Sequence, residues 1–412
     1  MQSLRELYKI GNGPSSSHTM GPKRATEIFR NKNADAKRFK VILYGSLALT
    51  GKGHLTDYII KKTLEGYEAE ILFDTKTECK VHPNTFDIFA YDENNNQKAM
   101  WRVYSIGGGS FEIEGKSHQT FPHIYKEKSF NEIKELCKKD NIDLYQYMKR
   151  VEDDQIDSFL LEVLNSMKNT VRVGLEKEGI IHGKLHLERK AKKIYNKNLN
   201  SNDETLQRNK LLSAYAYATS EENASGGIIV TAPTCGAAGV LPAVLYYLQE
   251  KYNYTDELMI KALAVAGIIG NVIKTNASVS GAECGCQAEI GTACSMAAAA
   301  TCYLQNGNID EIEGAAEIAM EHHLGLTCDP IYGYVQIPCI ERNAVAAMRA
   351  VDASNLAKIL SGSEQKISFD LVVETMYETG KDLNSHYRET SEGGLAKKYC
   401  RNKFYNKEMK ED

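Results

Sequence analysis

The sequence lacks any large excess of charge of one sign. Its 50 Lys and Arg stand against 54 Asp and Glu, a net charge of -4. That balance gives no support to a nucleic-acid or membrane-surface role, so neither partner is expected. Long apolar runs are also missing. The strongest, Leu263 to Ile273, is interrupted by Gly and Asn and falls short of the ~20 residues a bilayer crossing needs. The opening MQSLRELYKIGNG carries Glu6 and no apolar segment, so no export signal is expected. Ten cysteines in 412 residues are too sparse for a disulfide scaffold, and the expected compartment is the reducing cytosol. No two of them are spaced C-x-x-C, which removes zinc-ribbon and common ferredoxin spacings. His182 and His186 have the i, i+4 spacing of a metal pair but no Glu between them, and read as surface residues. No internal repeat is present.

What remains is a globular composition, 42% apolar and 25% charged, long enough for two or three domains. The pattern changes near residue 125. Before it, runs rich in β-branched and aromatic residues (Val41 to Tyr44, Ile71 to Phe73, Phe86 to Tyr91, Trp101 to Ile106) predict strands mixed with helices over Lys23 to Lys32 and Leu55 to Leu64. After it the periodicity is helical almost to the end, with Ala-rich stretches suited to close packing. The expected fold class is α+β: an α/β domain over 1–125, then an all-α domain over 126–412. The polar 189–210 segment reads as a surface excursion, and the basic run from Lys397 as a solvated end.

Four segments carry chemistry. GNGPSSSHTMGPKRA (residues 11–25) is a donor-rich loop entering a helix, a setting that attracts carboxylates and phosphates, though it reads equally as a capped turn. GSLALTGKGHLTD (45–57) predicts an exposed Gly-flanked turn bearing Lys52 and His54, and VHPNTF adds His82 and Asn84. GGIIVTAPTCGAAGVLPAVL (226–245) predicts a strand, a Thr234–Cys235–Gly236 turn with exposed N–H groups, then a helix. Six of the ten cysteines fall between Cys284 and Cys339. Clustered thiols in a reducing compartment favour metal binding or catalysis, but spacing alone does not choose the ligands. Cys294 and Cys302 sit in an Ala-rich helical run and read as core.

Taken together, SSSHTMGPKRA, GSLALTGKGHLTD, TAPTCGAAGVLPAVL, SGAECGCQAEIGTACSMAAA, GLTCDPIYGYVQIPCIERNA and ETSEGGLA resemble the iron–sulfur L-serine dehydratases, or L-serine ammonia-lyases. The resemblance covers nearly the whole chain, in the single-chain order of β-type then α-type domain. It implies an N-terminal domain like allosteric substrate-binding domains and a helical catalytic domain. It implies a [4Fe-4S] cluster held by Cys286, Cys328 and Cys339, with one iron left for substrate as a Lewis acid. The implied reaction takes L-serine to pyruvate and ammonia, within amino-acid degradation and gluconeogenesis. His54 is the first candidate base and His18 the second. Ser15, Ser16, Ser17, Thr19, His82, Asn84, Thr234, Cys235 and Gly236 are candidates to hold substrate, and Arg342 to hold substrate or a charge beside the cluster. A homodimer is the expected assembly. The rival readings are a cluster-dependent lyase for threonine or cysteine, and a non-enzymatic amino-acid or redox sensor.

The sequence departs from the family pattern at Cys235, where Asn is more usual, and at Tyr332 and Tyr334, where small or aliphatic residues are frequent. The stretch between GKGHLTD and VHPNTF is shortened. No Lys sits in a recognisable pyridoxal-phosphate site. Cys400, just after ETSEGGLA, reads as a solvated cysteine, with capping of the open iron as the alternative.

Overall fold

The computed structural model describes residues 1–115, 122–200 and 202–402. Its first part is built on a five-stranded sheet. The strands are β2 (Arg38–Tyr44), β3 (Glu68–Asp74), β4 (Thr85–Tyr91), β5 (Gln97–Gly107) and β6 (Ser110–Ile113), in spatial order β3-β2-β4-β5-β6. Only β2 and β3 run parallel, from Arg38 opposite Glu68 to Tyr44 opposite Asp74. A parallel pair needs a crossover, and here it is two short helices, Gly45–Thr50 and Thr56–Thr63. Alternation along β2 buries Phe39, Val41 and Leu43. They join Phe29, Phe86, Trp101 and Val103 in the smaller of the two main cores. The β4–β5 hairpin closes where the Asp92 carboxylate accepts the N–H groups of Asn94 and Asn96, at 2.8 and 2.9 Å.

The second part is helical. At its centre lies the helix Thr292–Leu304, buried at every residue but Tyr303. It packs against the helices Asp256–Asn276, Ile309–Glu321 and Cys339–Ile359. Small residues permit this closeness: a Cβ added at Gly270 would stand 2.8 Å from Met296 Sδ and 2.9 Å from Leu7 Cδ2. The apolar run around Leu263 thus belongs to a 21-residue helix. By length and composition it is able to cross a membrane, yet 78% of its apolar window is buried inside the protein.

The division we propose at 125/126 is crossed at the start of the chain. Met1, Leu4, Leu7 and Tyr8 are buried in the helical core, and the Tyr8 hydroxyl donates to Leu263 O at 2.9 Å. Strand β1 (Ile10–Asn12) pairs antiparallel with β7 (Ile228–Val230) from the helical part. This tie carries the serine loop from one part to the other. The 189–210 segment is less solvated than its composition suggests. Arg189 is buried against Glu222 at 2.7 Å, and Ala191 opens the helix Ala191–Tyr195. The basic end starts as the helix Gly394–Arg401, while residues 403–412 lie outside the described residues.

Candidate active site

The thiols Cys286, Cys328 and Cys339 come from three places in the helical part and line one cavity of about 20 Å³. Cys286 follows Gly285, whose φ of 74° suits glycine and whose added Cβ would stand 2.7 Å from Leu326 O. Cys328 lies in extended backbone. Its N–H donates to Tyr387 O and its carbonyl accepts from Glu389 N–H, both at 2.7 Å. Cys339 begins the helix Cys339–Ile359. Ligand atoms of Cys286, Cys328 and Glu289 lie within 4.8 Å of one another. All ten cysteines are free thiols. The Cys286 thiol is held below its usual range by a hydrogen bond from Cys328 and by Arg342 nearby. Its partnership with Cys286 pushes the Cys328 thiol up, and burial pushes up Cys339.

The same cavity is lined by Ser15, Gly236, His54, Glu289 and Glu389. The turn expected to expose His54 buries it completely. GSLALT forms a helix, and backbone from the loop between Cys328 and Cys339 covers the turn: a Cβ added at Gly53 would meet Tyr332 O at 2.7 Å. Lys52 stays exposed there, with Leu49 and Leu55. Burial lowers His54 to about 4 and lowers His18 further below its ordinary value. Their ring centroids are 4.3 Å apart. Glu389 Oε1 lies 3.7 Å from both His18 Nδ1 and His54 Nε2. That separation is within ion-pair range, but burial raises Glu389 and lowers both imidazoles. We read the trio as uncharged, because burial disfavours the charged form of all three groups.

The serine loop is wound as the π-turn Ser16–Met20, capped by Ser15 Oγ accepting from His18 N at 3.0 Å. Thr19 Oγ1 donates to His54 O at 2.7 Å, which joins the two histidine-bearing segments. Ser16 and Ser17 are buried behind Ser15 and do not line the cavity. His82 and Asn84 are buried at the start of β4, with Asn84 N donating to His82 Nδ1 at 3.0 Å, and they too stand off the cavity wall.

The Thr234–Cys235–Gly236 turn reaches the cavity through Gly236 alone. Cys235 points away, its sulfur 3.2 Å from Met20 Sδ in a small apolar cluster with Ile229 and Ala238. The expectation that this side chain meets substrate is therefore corrected: the turn presents backbone, and the thiol packs. Thr234 Oγ1 accepts from Ala237 N at 3.3 Å and bonds Glu289. Arg342 lies behind the thiols, donating to Thr327 O at 2.6 Å and standing 3.7 Å from Asp329. Cys294 and Cys302 are buried core, and His182 and His186 are exposed. Cys400 is half-buried on the helix Gly394–Arg401 and hydrogen-bonds Tyr332, away from the cavity wall.

Two wall residues were missed by sequence reasoning. Glu289, raised by burial to about 7, stands three residues after Cys286. Glu389 is the first residue of ETSEGGLA. Acids inside two otherwise small-residue motifs were the signal available.

Thiols, carboxyls and an imidazole converging on one cavity, in a chain that joins a small sheet to an Ala-rich helical body, define a two-part enzyme. Residues 3–72 match the serine dehydratase beta chain and residues 61–396 the serine dehydratase alpha chain. The chain belongs to the serine dehydratase family. It is 39% identical over 455 aligned positions to an L-serine dehydratase of Haemophilus influenzae, covering 97% of this chain and 99% of that one. It is 38% identical to that of Streptomyces coelicolor, over 96% and 98% of the two chains. It is also 38% identical to L-serine dehydratase 2 of Escherichia coli, over 97% and 99%. The 455 positions exceed the 412 residues present, so gaps fall on this side, in keeping with a shortened chain.

Proposed function

We propose that the protein converts L-serine to pyruvate and ammonia in the cavity bounded by Cys286, Cys328, Cys339 and His54. The observation that carries this reading is the meeting of three unpaired thiols and a buried imidazole on that one wall. The thiols suit a [4Fe-4S] cluster. They are soft donors from separate segments, none is in a disulfide, and the wall beside them is trimmed to glycine. A Cβ added at Gly281 would press to 3.1 Å from Cys328 Sγ and 2.7 Å from Glu289 Oε2. When bound, such a cluster with one iron free of thiolate supplies a Lewis acid for the carboxylate and β-hydroxyl of serine.

The chain's own groups do the rest. His54 Nε2 is buried and free of hydrogen bonds among the described residues, so its lone pair is available to remove the Cα proton. Ser15 and the backbone at Gly236 orient the amino acid. Ser16, Ser17, Thr19, His82 and Asn84 brace those groups from behind. Arg342 balances the thiolates. Loss of hydroxide leaves aminoacrylate, which tautomerises to an imine and hydrolyses to pyruvate and ammonia. Pyruvate formation from L-serine by anaerobically reconstituted protein tests the reading, with L-threonine and L-cysteine as rivals. No product from any of the three would leave a sensor as the better account.

A further inference from the structure

The cavity wall holds a second acid–base group that the reaction above leaves without a role. Glu389 is nearly fully buried, and its Oε2 has no hydrogen-bond partner among the described residues. Its backbone sits at a φ of 58°, a region uncommon for any residue but glycine. Two bonds hold it there: its N–H donates to Cys328 O at 2.7 Å, and Ser46 Oγ donates to its carbonyl at 2.9 Å. A residue kept in such a conformation by its surroundings marks a placed side chain.

The hydroxyls around the two imidazoles set their tautomers. Thr50 Oγ1 donates to Ser46 O at 2.9 Å. It therefore accepts from the ring nitrogens beside it, His54 Nδ1 at 3.2 Å and His18 Nε2 at 3.0 Å. A neutral imidazole has one N–H, so lone pairs remain on His54 Nε2 and His18 Nδ1. Ser17 Oγ, at 2.9 Å, donates to the His18 lone pair. The His54 lone pair has no donor. Both of these nitrogens face Glu389 Oε1 at 3.7 Å. Two nitrogen lone pairs turned on one buried carboxyl are compatible when that carboxyl carries the proton.

We propose that Glu389 is the general acid of the elimination, opposite His54 as base; this rests on the serine dehydratase reading. His54 Nε2 takes the Cα proton and becomes imidazolium. The pair from the Cα–H bond remains on Cα, and in the next step it forms the new C=C bond as the Cβ–O bond breaks. The departing hydroxide takes the Glu389 carboxyl proton and leaves as water. The imidazolium then returns its proton to the Glu389 carboxylate beside it, and both groups are reset. His18, its lone pair engaged by Ser17, positions the pair and is not the base.

The test compares the parent, Glu389→Gln and Glu389→Asp on L-serine and on L-[2-²H]serine, with iron and sulfide measured on each. Parent protein that makes no pyruvate fails the dehydratase reading itself. Given an active parent, the isosteric Glu389→Gln should keep the parent's iron and sulfide and lose about 10²–10⁴-fold in turnover, the usual worth of a positioned acid. Its deuterium isotope effect should fall toward one, because hydroxide departure now limits the rate. Glu389→Asp, still an acid, should recover at least about tenfold over Gln. The proposal is overturned if Glu389→Gln turns over within threefold of the parent, if it loses iron, or if it is slowed with an undiminished isotope effect.

Discussion

His54 Nε2 and Glu389 Oε1 face each other at 3.7 Å, from segments more than 300 residues apart in sequence. The first rides on the crossover of the small sheet, and the second follows the bridge between Cys328 and Arg388. Neither segment makes the site without the other. His54→Ala should therefore lower turnover by about 10²–10⁴-fold while iron content and serine-induced changes in the visible spectrum persist. His18→Ala should be less severe in turnover than His54→Ala, because the His18 lone pair already accepts from Ser17. The reverse ranking, measured by steady-state pyruvate release, would exchange their roles.

The thiols separate into two kinds by position. Cys286, Cys328 and Cys339 line the cavity, whereas Cys294 is fully buried on the helix Thr292–Leu304 with its thiol 3.3 Å from Ala346 O. Replacing any of the first three by Ala should remove bound iron and activity together. Cys294→Ala should keep both and cost packing alone, up to about 2 kcal/mol for a side chain this small. Iron analysis of anaerobic protein and urea unfolding distinguish the two outcomes. A Cys328→Ala protein with the parent's iron content would remove that residue from the ligand set.

Iron removal gives a third expectation. A cluster iron without a thiolate is the one most readily lost on oxidation. Activity should fall in air and return after anaerobic incubation with ferrous iron and thiol. The Cys294→Ala protein should behave as the parent does, since its thiol takes no part. Full activity after hours in air would contradict an iron open to substrate.

The strands β2 to β5 were legible in sequence from their runs of β-branched and aromatic residues, and the outer helices from apolar residues at helical spacing. Strands β1 and β7 were not read as a pair. Each is three residues long, and their pairing joins positions more than 200 residues apart, which no local pattern encodes. The three cavity thiols were legible through motifs, not through spacing. His54 was read as exposed because the glycines on either side of Lys52 signal a turn, while the backbone that buries it comes from Tyr332 and Gly333. Cys235 was read as a substrate contact from its place in a turn. Local sequence does not say which face of a turn meets Met20 and which meets the cavity. Glu289 and Glu389 were overlooked for a related reason: an acid on a short motif reads as solvated until its neighbours are known.

A last expectation concerns acid stability and His323. This residue is buried in the helical part, 4% exposed, with Nδ1 2.7 Å from Ala319 O. Burial lowers its pKa from 6.5 to about 4, with a partial offset from the Ala319 carbonyl. The folded chain thus keeps His323 neutral where the unfolded chain protonates it. Between pH 6.5 and 4 the unfolded state binds more protons at this site, so stability falls as the pH drops through that window and is regained above it. At 1.36 kcal/mol per pKa unit, the loss between pH 7 and pH 5 is about 2 kcal/mol. Urea unfolding of the parent at the two pH values should show at least this loss, since buried His18 and His54 add to it, and His323→Gln, which cannot be protonated, should lower it by about that amount. An unchanged pH dependence in His323→Gln would mean that His323 is as readily protonated in the fold as in the open chain.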